Sequence, residues 1–327
     1  DFDAYRPLDS LMTVPGRLMT VLRNQMDERR INIDQLQDAL PEFTFVIEGG
    51  DNNIVSEYLS QMNTTVRSFE IKAYNDTVFS LDASAEGITS GQTKVDSLFF
   101  DVRQDGNRLN YTGSMRNRPG TFDEWASADI KGYFRPGRLG LNFEQRNIRN
   151  KTGFEFGAYV DLNPDSTATL HFSPLDPTIG FQQWLVNEDN FVRYDFVNKH
   201  IDANLKMRSD ISSVDIYTEN LAADVHDHSK HDSKENLIIK LSDIRIQDWI
   251  TLNPFAPAIK GNVSADLKFN YHDGKLMANG DMTLGDLLYG RERVGDFKAD
   301  IDMQTSPGGV INADVALWVN GHKSLTL

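Results

Sequence analysis

Apolar and polar residues alternate along most of the chain, and the alternation is most regular in residues 259–327. From Val263 to Tyr271 every second residue is apolar, and the residues between them are Asn, Ser, Asp or Lys. A period of two is that of a strand with one dry face and one solvated face. The pattern returns after the turn at Asp273-Gly274, again from Phe297 to Met303, and again from Ile311 to Val319. Successive antiparallel strands with one solvated face are therefore predicted.

One face of this module collects the apolar positions that are predicted to line a groove. They are Val263, Leu267, Phe269, Leu276, Met282, Phe297, Ile301, Val315 and Leu317. These side chains are predicted to point inward, and none of them offers a fixed polar anchor.

Two earlier segments continue the strand pattern. Residues 64–172 read as a first β-meander, because turn signals such as Asp105-Gly106 and Pro136-Gly137 recur without helical spacing between them. Residues 173–258 read as an interrupted β segment, in which Phe181 to Val186 are predicted to form one helical turn. The total of roughly fifteen strands exceeds what one open, twisted sheet usually holds without curling.

Residues 1–63 are the least strand-like and are predicted to form a helix-rich cap or buttress. Pro15 is placed at the first turn of a helix, and a second helical stretch is expected to stop at Pro41. Asn52 or Asn53 is expected to cap a third, short helix. Its apolar positions are Ile54, Val55, Tyr58, Leu59 and Met62. Such helices are expected to pack against a sheet edge or a hydrophobic face.

Composition narrows the function classes. The chain has 327 residues, 39% of them hydrophobic, and a net charge of −15, so no basic stripe for nucleic acid is expected. Cysteine is absent, which excludes disulfides and thiolate chemistry. No apolar run reaches the ~20 residues of a membrane span. The chain is expected to be an internal segment of a longer protein, because it begins abruptly at Asp1 and ends within a predicted strand.

Motifs that carry chemistry are weak. A polar loop holds alternating histidines and aspartates, but it reads as a solvated loop, and no metal site is assigned to it. Its members are Asp224, His226, Asp227, His228, His231 and Asp232. Gly137-Arg138-Leu139-Gly140 lacks the strand-to-helix context of a phosphate loop. No nucleophile elbow is present, so neither an enzyme nor a cofactor is predicted.

The repeat style resembles a known family. The residues that carry the likeness are the module Ile259–Leu267, the return strand Leu276–Leu287, the strand Val294–Met303 and the lead-in Leu237–Trp249. They are similar to the repeats of the TamB proteins and of the AsmA-like and bridge-like lipid-transfer proteins. The likeness covers most of residues 65–327 and is closest to TamB-like proteins of the Bacteroidota.

The resemblance implies a place and a role. It implies a periplasmic protein, anchored in the inner membrane by an N-terminal helix outside this sequence, whose curled sheet forms an open apolar groove called a β-taco. Family members move phospholipids to the outer membrane. With a TamA-type outer-membrane barrel protein, engaged through a region not identified in this chain, they also support outer-membrane protein assembly.

The expected fold is therefore mainly β, a long antiparallel meander curled into an open groove, with a few short helices that are mostly N-terminal. Acyl chains of phospholipid or detergent are the expected occupants of the groove, because an apolar slot open to water is unfavourable until an amphiphile or a helix covers it. The same period-two pattern also describes a sandwich with a filled core. The alternative is thus a structural or adhesive β-rich surface protein.

Overall fold

The chain is mainly antiparallel β-structure, as the alternation predicts. The structure is a computed structural model that describes residues 2–4, 8–28, 32–50, 53–91, 93–118, 125–220, 235–250, 258–272, 275–305, 311–319 and 322–326. It divides into two compact units, Asp1–Ser166 and Thr167–Leu327, which are called unit 1 and unit 2. The finer division at residues 63, 172 and 258 stays a prediction.

The described residues of unit 1 form three helices and ten strands. The helices are α1 (Leu8–Glu28), α2 (Ile33–Asp38) and α3 (Ile54–Gln61). The strands are β1 (Phe2–Ala4), β2 (Phe43–Gly49), β3 (Thr64–Thr65), β4 (Ser68–Asn75), β5 (Phe79–Ser90), β6 (Thr93–Gln104), β7 (Leu109–Arg116), β8 (Ser127–Arg135), β9 (Arg138–Arg146) and β10 (Thr152–Leu162).

The strands of unit 1 form an open antiparallel meander. β1 pairs with β2, β2 with β4, and each strand from β4 to β10 with the next, while the short β3 pairs with β5. Among the described residues no pairing joins β1 or β2 to β10, so the sheet is not closed into a barrel.

The helices of unit 1 follow local sequence signals in two cases and depart from them in one. Asn32 caps α2 by accepting a hydrogen bond from the backbone N–H of Gln35, and α2 ends before Pro41 as predicted. Asn53 caps α3 in the same way. The placement of Pro15 at a first turn is wrong, because α1 begins at Leu8 and Pro15 lies in its interior.

In the part of unit 2 that the structure describes there are one short helix and thirteen strands. They are β11 (Thr167–Phe172), β12 (Thr178–Ile179), β13 (Gln182–Gln183), β14 (Leu185–Val186), β15 (Phe191–Asp195), β16 (His200–Arg208), β17 (Ser213–Asn220), β18 (Glu235–Arg245), α4 (Ile246–Ile250), β19 (Ile259–His272), β20 (Lys275–Tyr289), β21 (Glu292–Thr305), β22 (Ile311–Val319) and β23 (His322–Thr326). β11 pairs with β15, each strand from β15 to β23 pairs with the next, β12 pairs with β13, and β14 pairs with β16.

The helical turn predicted at Phe181 to Val186 is wrong. The segment forms β13 and β14 instead, and Phe181 has a φ of 65°. A positive φ is incompatible with a right-handed helix, and cross-strand pairing supplies the backbone hydrogen bonds of this short segment. Short apolar runs do not separate helix from strand by spacing alone.

The interior differs between the two units. In unit 2 a cluster near the start of the unit is almost fully buried, with Trp184 only 2% exposed. It comprises Ile179, Trp184, Val186, Ala203, Leu205, Met207 and Val214. In unit 1 most of the apolar strand residues that face one side are half-buried. Partial burial is what one uncovered face of a single-layer sheet produces.

Two expectations fall outside the described residues. These are the turn at Asp273-Gly274 and the histidine-rich loop at residues 224–234. Among the helices that are described, none combines the length and the apolar character needed to cross a membrane.

Candidate functional site

An apolar cavity of about 600 Å³ lies on the sheet of unit 1. The strands β4 to β9 supply its floor and walls, and α3 lies along it. This cavity is the candidate functional site.

Two adjacent rows of cross-strand neighbours build the floor and walls of the cavity. Each row is a chain of residues that lie directly opposite one another in successive strands. The first row is Phe69, Ala85, Leu98, Met115 and Ala128, and the second is Ile71, Ala83, Phe100, Gly113, Ile130 and Phe143. All eleven residues line the cavity, because residues opposite each other in paired strands project from the same face.

The hollow arises where small residues interrupt these rows. Ala83 and Ala85 are two residues apart on β5 and share one face of it, and Gly113 lies between Phe100 and Ile130. A methyl group built on Gly113 would meet Ile130 Cγ2 at 2.7 Å and Phe100 Cδ2 at 3.3 Å. The space over Gly113 is therefore already shared by the two large side chains on either side of it.

Helix α3 borders the cavity with Val55 and Leu59, which are four residues apart and so share one stripe of the helix. The Asn53 side chain accepts a hydrogen bond from the backbone N–H of Ser56 at 2.9 Å, and Ser56 Oγ accepts from the backbone N–H of Asn53 at 2.7 Å. This reciprocal capping box satisfies two backbone donors at the start of the helix. It holds the apolar stripe over the sheet.

Water reaches the cavity. Phe100 is 40% exposed, and Leu98 and Val55 are exposed to a similar degree. Among the described lining residues Asp129 alone is charged, and it belongs to the intervening row with Ser84, Phe99 and Ser114. Side chains of that row alternate to the other face of the sheet. The cavity itself is therefore open and offers side chains with almost no polar atoms.

Beyond the cavity, the same face of the sheet carries the polar side chain of Tyr111. Tyr111 Oη donates a hydrogen bond to the backbone oxygen of Gly140 at 3.2 Å and lies over Gly132. Burial raises the pKa of the Tyr111 hydroxyl above its usual value, so it stays protonated and remains a donor at neutral pH.

The nine groove positions predicted in unit 2 lie on the four neighbouring strands β19 to β22. The pairing of these strands places all nine residues on the same face of the sheet. Val263 lies opposite Leu284, which in turn lies opposite Phe297. Gly280 lies opposite both Leu267 and Ile301. The remaining pairs are Phe269 with Ala278, Leu276 with Tyr271, Met282 with Ala265 and Ala299, Ile301 with Val315, and Leu317 with Ala299.

Burial along this face is graded. Val263, Leu267, Phe269, Phe297 and Ile301 are half-buried, and Met282 is 38% exposed. The fully buried members of the face are small, namely Ala265, Ala278 and Ala299. Of Leu276, Val315 and Leu317 the structure describes only the strand position. Their role as groove lining stays a prediction.

The opposite face of the unit 2 sheet carries a row of charged residues. Across successive strands the row reads Lys206, Asp215, Lys240, Asp266, Asp281 and Asp300. Lys240 Nζ lies 2.9 Å from Asp266 Oδ2, and this hydrogen bond raises the pKa of Lys240. The two faces of the sheet thus differ sharply in polarity, with the apolar positions on one side and solvated charges on the other.

The residues around the unit 1 cavity were not nominated as a site from the sequence. Their alternation is visible, but the cavity depends on which residue lies opposite which, and that requires the register. The apolar triplet Leu98-Phe99-Phe100 is the one local signal, because it places large apolar side chains on both faces of a strand. All three are more than a third exposed.

Among the described residues no group of histidine, cysteine, aspartate and glutamate side chains is arranged to hold a metal ion. Comparison of the chain with protein-family models, with curated proteins and with solved structures finds no match.

Proposed function

We propose that this chain binds the acyl chains of phospholipids on its apolar sheet face and carries them along that face. The observation that supports the proposal most directly is the open cavity of unit 1, whose inward side chains are almost all hydrocarbon. An exposed apolar surface of this kind is unfavourable in water and marks a site of contact with an apolar ligand or partner.

The size and openness of the cavity suit an acyl chain. A volume of about 600 Å³ lies within the range of small-molecule sites. Each methylene group buried contributes about 0.8 kcal/mol. A lipid tail can lie in the cavity while its headgroup stays in water, and the lack of polar anchors lets the tail slide.

The wider role belongs to the same proposal. The resemblance to TamB-like proteins supports a periplasmic location, transport between the inner and outer membranes, and cooperation with a TamA-type barrel protein in outer-membrane biogenesis. The open antiparallel sheet with one apolar face fits such a conduit. The nine groove positions of unit 2 would bind acyl chains in the same way on the sheet of that unit.

A structural β-rich protein is the second candidate, favoured by the buried cluster around Trp184 in unit 2. If the apolar faces serve only to pack, lipid should not occupy the cavity of unit 1. The two candidates therefore differ in what lies against Phe100 in the cell.

Site-specific photocrosslinking separates them, because Phe99 and Phe100 form a matched pair. The two residues are neighbours, their exposures are 43% and 40%, and they project from opposite faces of β6. A photoreactive residue at Phe100 should form phospholipid adducts, and the same residue at Phe99 should form few. Probes at Phe269 and Ile301 test the face of unit 2. Protein adducts without lipid at Phe100 would contradict the proposal.

Filling the cavity provides a test in the purified protein. Ala85→Phe places a ring in the hollow, whereas Ala73→Phe adds the same ring to the same face of the sheet, on the neighbouring strand β4 and outside the lining. Binding of a fluorescent acyl probe should weaken about tenfold, or ~1.4 kcal/mol, in the first variant only. Denaturation curves of both variants show whether a change in binding reflects lost folding. Equal binding by wild type and Ala85→Phe would count against a site at the cavity.

A further inference from the structure

Three arginines stand in one row across neighbouring strands of unit 1, at the end of the strands away from α3. Arg135 lies directly opposite Arg138 in the pairing of β8 with β9. Leu109 lies opposite Phe134 in the pairing of β7 with β8, which places Arg108 at the next position, beside Arg135. Like charges opposite each other on strands are destabilising. The row of arginines therefore lowers the stability of the protein when no anion is bound.

Two tyrosines of the adjacent row hold the guanidinium groups in place. Arg108 Cζ lies 4.3 Å from the centre of the Tyr133 ring, and Arg135 Cζ lies 5.7 Å from the centre of the same ring. Arg138 Cζ lies 4.3 Å from the centre of the Tyr159 ring. Stacking on an aromatic face orients a guanidinium while leaving its N–H donors at the edge free to bind a ligand.

Glycine makes room for this arrangement. Gly140 lies between Tyr133 and Tyr159 in the row next to the arginines. A methyl group on Gly140 would come within 2.4 Å of Tyr133 Cε1. The tyrosine that both Arg108 and Arg135 approach can therefore lie flat only because residue 140 has no side chain.

The charge of the row is only partly balanced. Asp161 lies opposite Arg138 and accepts hydrogen bonds from its guanidinium, with Nη2 to Oδ2 at 2.9 Å. This bond raises the pKa of Arg138. Among the described residues no carboxylate lies within ion-pair distance of Arg108 or Arg135. Within the described part of the chain, whose full sequence has a net charge of −15, the positive charges of Arg108 and Arg135 therefore have no carboxylate partner.

We propose that Arg108, Arg135 and Arg138, stacked on Tyr133 and Tyr159, form a binding site for a phosphate group. Strand spacing of about 4.8 Å brings neighbouring guanidinium groups near enough to converge on one anion. A phosphate monoester carries about −1.5 to −2 charges and three strong acceptor oxygens, which matches the two uncompensated charges and their forked donors. The phosphate comes either from a soluble compound or from a headgroup at a membrane surface.

The site is independent of lipid carriage in the cavity. Tyr133 and Asp129 are four residues apart on β8, an even number, and so share a face, while the cavity residues Ala128 and Ile130 project from the other face. The negative charge of the rest of the surface repels anions, so binding here requires the local cluster.

Binding of the full chain to inorganic phosphate, followed by calorimetry at constant ionic strength, tests the proposal. Arg108→Gln/Arg135→Gln should lose tenfold or more in affinity. Arg108→Lys/Arg135→Lys keeps the charge but loses the fork and the stacking, and it should lose affinity to a smaller extent. Lys94→Gln/Arg149→Gln is the control, since it makes the same charge change at two exposed positions at the other end of the strands and should bind as wild type does.

Flotation with vesicles identifies the source of the phosphate. Vesicles of phosphatidylcholine with phosphatidic acid are compared with vesicles of phosphatidylcholine alone. Binding to the acidic vesicles that is lost in the double glutamine variant supports a headgroup at a membrane, and binding to inorganic phosphate without vesicle binding supports a soluble compound. The proposal is overturned if wild type binds neither, if the control pair weakens binding equally, or if only an aspartate-rich peptide binds.

Discussion

Gly113 lies directly opposite Phe100 in the pairing of β6 with β7. This relationship decides the shape of the cavity, because the glycine leaves room for Phe100 and Ile130 to approach each other above it. A side chain at residue 113 would compete with both of them for the same space.

Replacing Gly113 by alanine is therefore expected to have two effects. The added methyl group would meet Ile130 Cγ2 at 2.7 Å, and relief of that overlap should cost about 1 to 3 kcal/mol of the free energy of unfolding. The displaced Ile130 and Phe100 should also narrow the cavity and weaken acyl-probe binding. Urea denaturation and probe titration measure the two effects.

Gly285→Ala is the control for that substitution. Gly285 also lies in a strand, but no atom lies within 4 Å of the added methyl group. Its stability and probe binding should stay close to those of wild type. A Gly113→Ala protein that is as stable as Gly285→Ala would contradict the account of close packing over residue 113.

Asn53 is expected to control how firmly α3 lies along the cavity. Asn53→Ala removes the side-chain acceptor for the backbone N–H of Ser56, at a cost of about 1 kcal/mol. Faster hydrogen exchange in the first turn of α3 and weaker acyl-probe binding should follow together. Asn32→Ala removes the matching cap of α2 and should leave probe binding unchanged. Loss of probe binding in both variants would mean that the helix cap acts through general stability.

Much of the fold could be predicted from the sequence, because strands with one solvated face show a regular alternation of apolar and polar residues. The alternation from Val263 to Tyr271 gave the face that the pairing confirms, and Asn53 marked the start of α3. The local signal at Pro15 led to a wrong prediction, because α1 begins before the proline and continues through it. The spacing of Phe181–Val186 also led to a wrong prediction, because this segment pairs with other strands.

The cavity and the arginine row could not be predicted from the sequence, for one physical reason. Both depend on register, which brings together residues far apart in the chain. Gly113 reads as a weak strand residue until Phe100 is known to lie opposite it. Arg108 and Arg135 read as ordinary turn-flanking charges until Tyr133 is known to lie between them and the sheet.

The turn after β15 is expected to make stability depend on pH. Asp195 accepts hydrogen bonds from the backbone N–H groups of Asn198 and Val197 and from the Asn198 side chain. These bonds, led by the one from the Asn198 backbone, hold the pKa of the Asp195 carboxyl below its usual value of 3.8. The stabilisation is thus present above pH 3.8 and is lost as the pH falls through the lowered pKa.

Asp195→Asn should therefore be less stable than wild type near neutral pH, and the difference should shrink in strong acid. Urea midpoints measured as a function of pH follow this change. Asp210→Asn, at an exposed position to which no described residue donates a hydrogen bond, serves as control and should show no such convergence. A difference between wild type and Asp195→Asn that stays constant into strong acid would refute the assignment.

Ile301 tests whether the sheet of unit 2 shares in lipid carriage. It is half-buried on the apolar face, opposite Gly280 and Val315, while its neighbour Asp302 is exposed on the other face. Ile301→Lys places a charge among the predicted groove positions, and we expect it to reduce lipid transfer between vesicles and to cost about 1 to 3 kcal/mol of folding stability. Asp302→Lys adds the same side chain one residue away and should leave transfer near the wild-type rate.

Because lost folding could imitate lost transfer, both variants are compared at a temperature where each is fully folded. Under that condition, equal transfer by the two variants would remove the unit 2 face from the path.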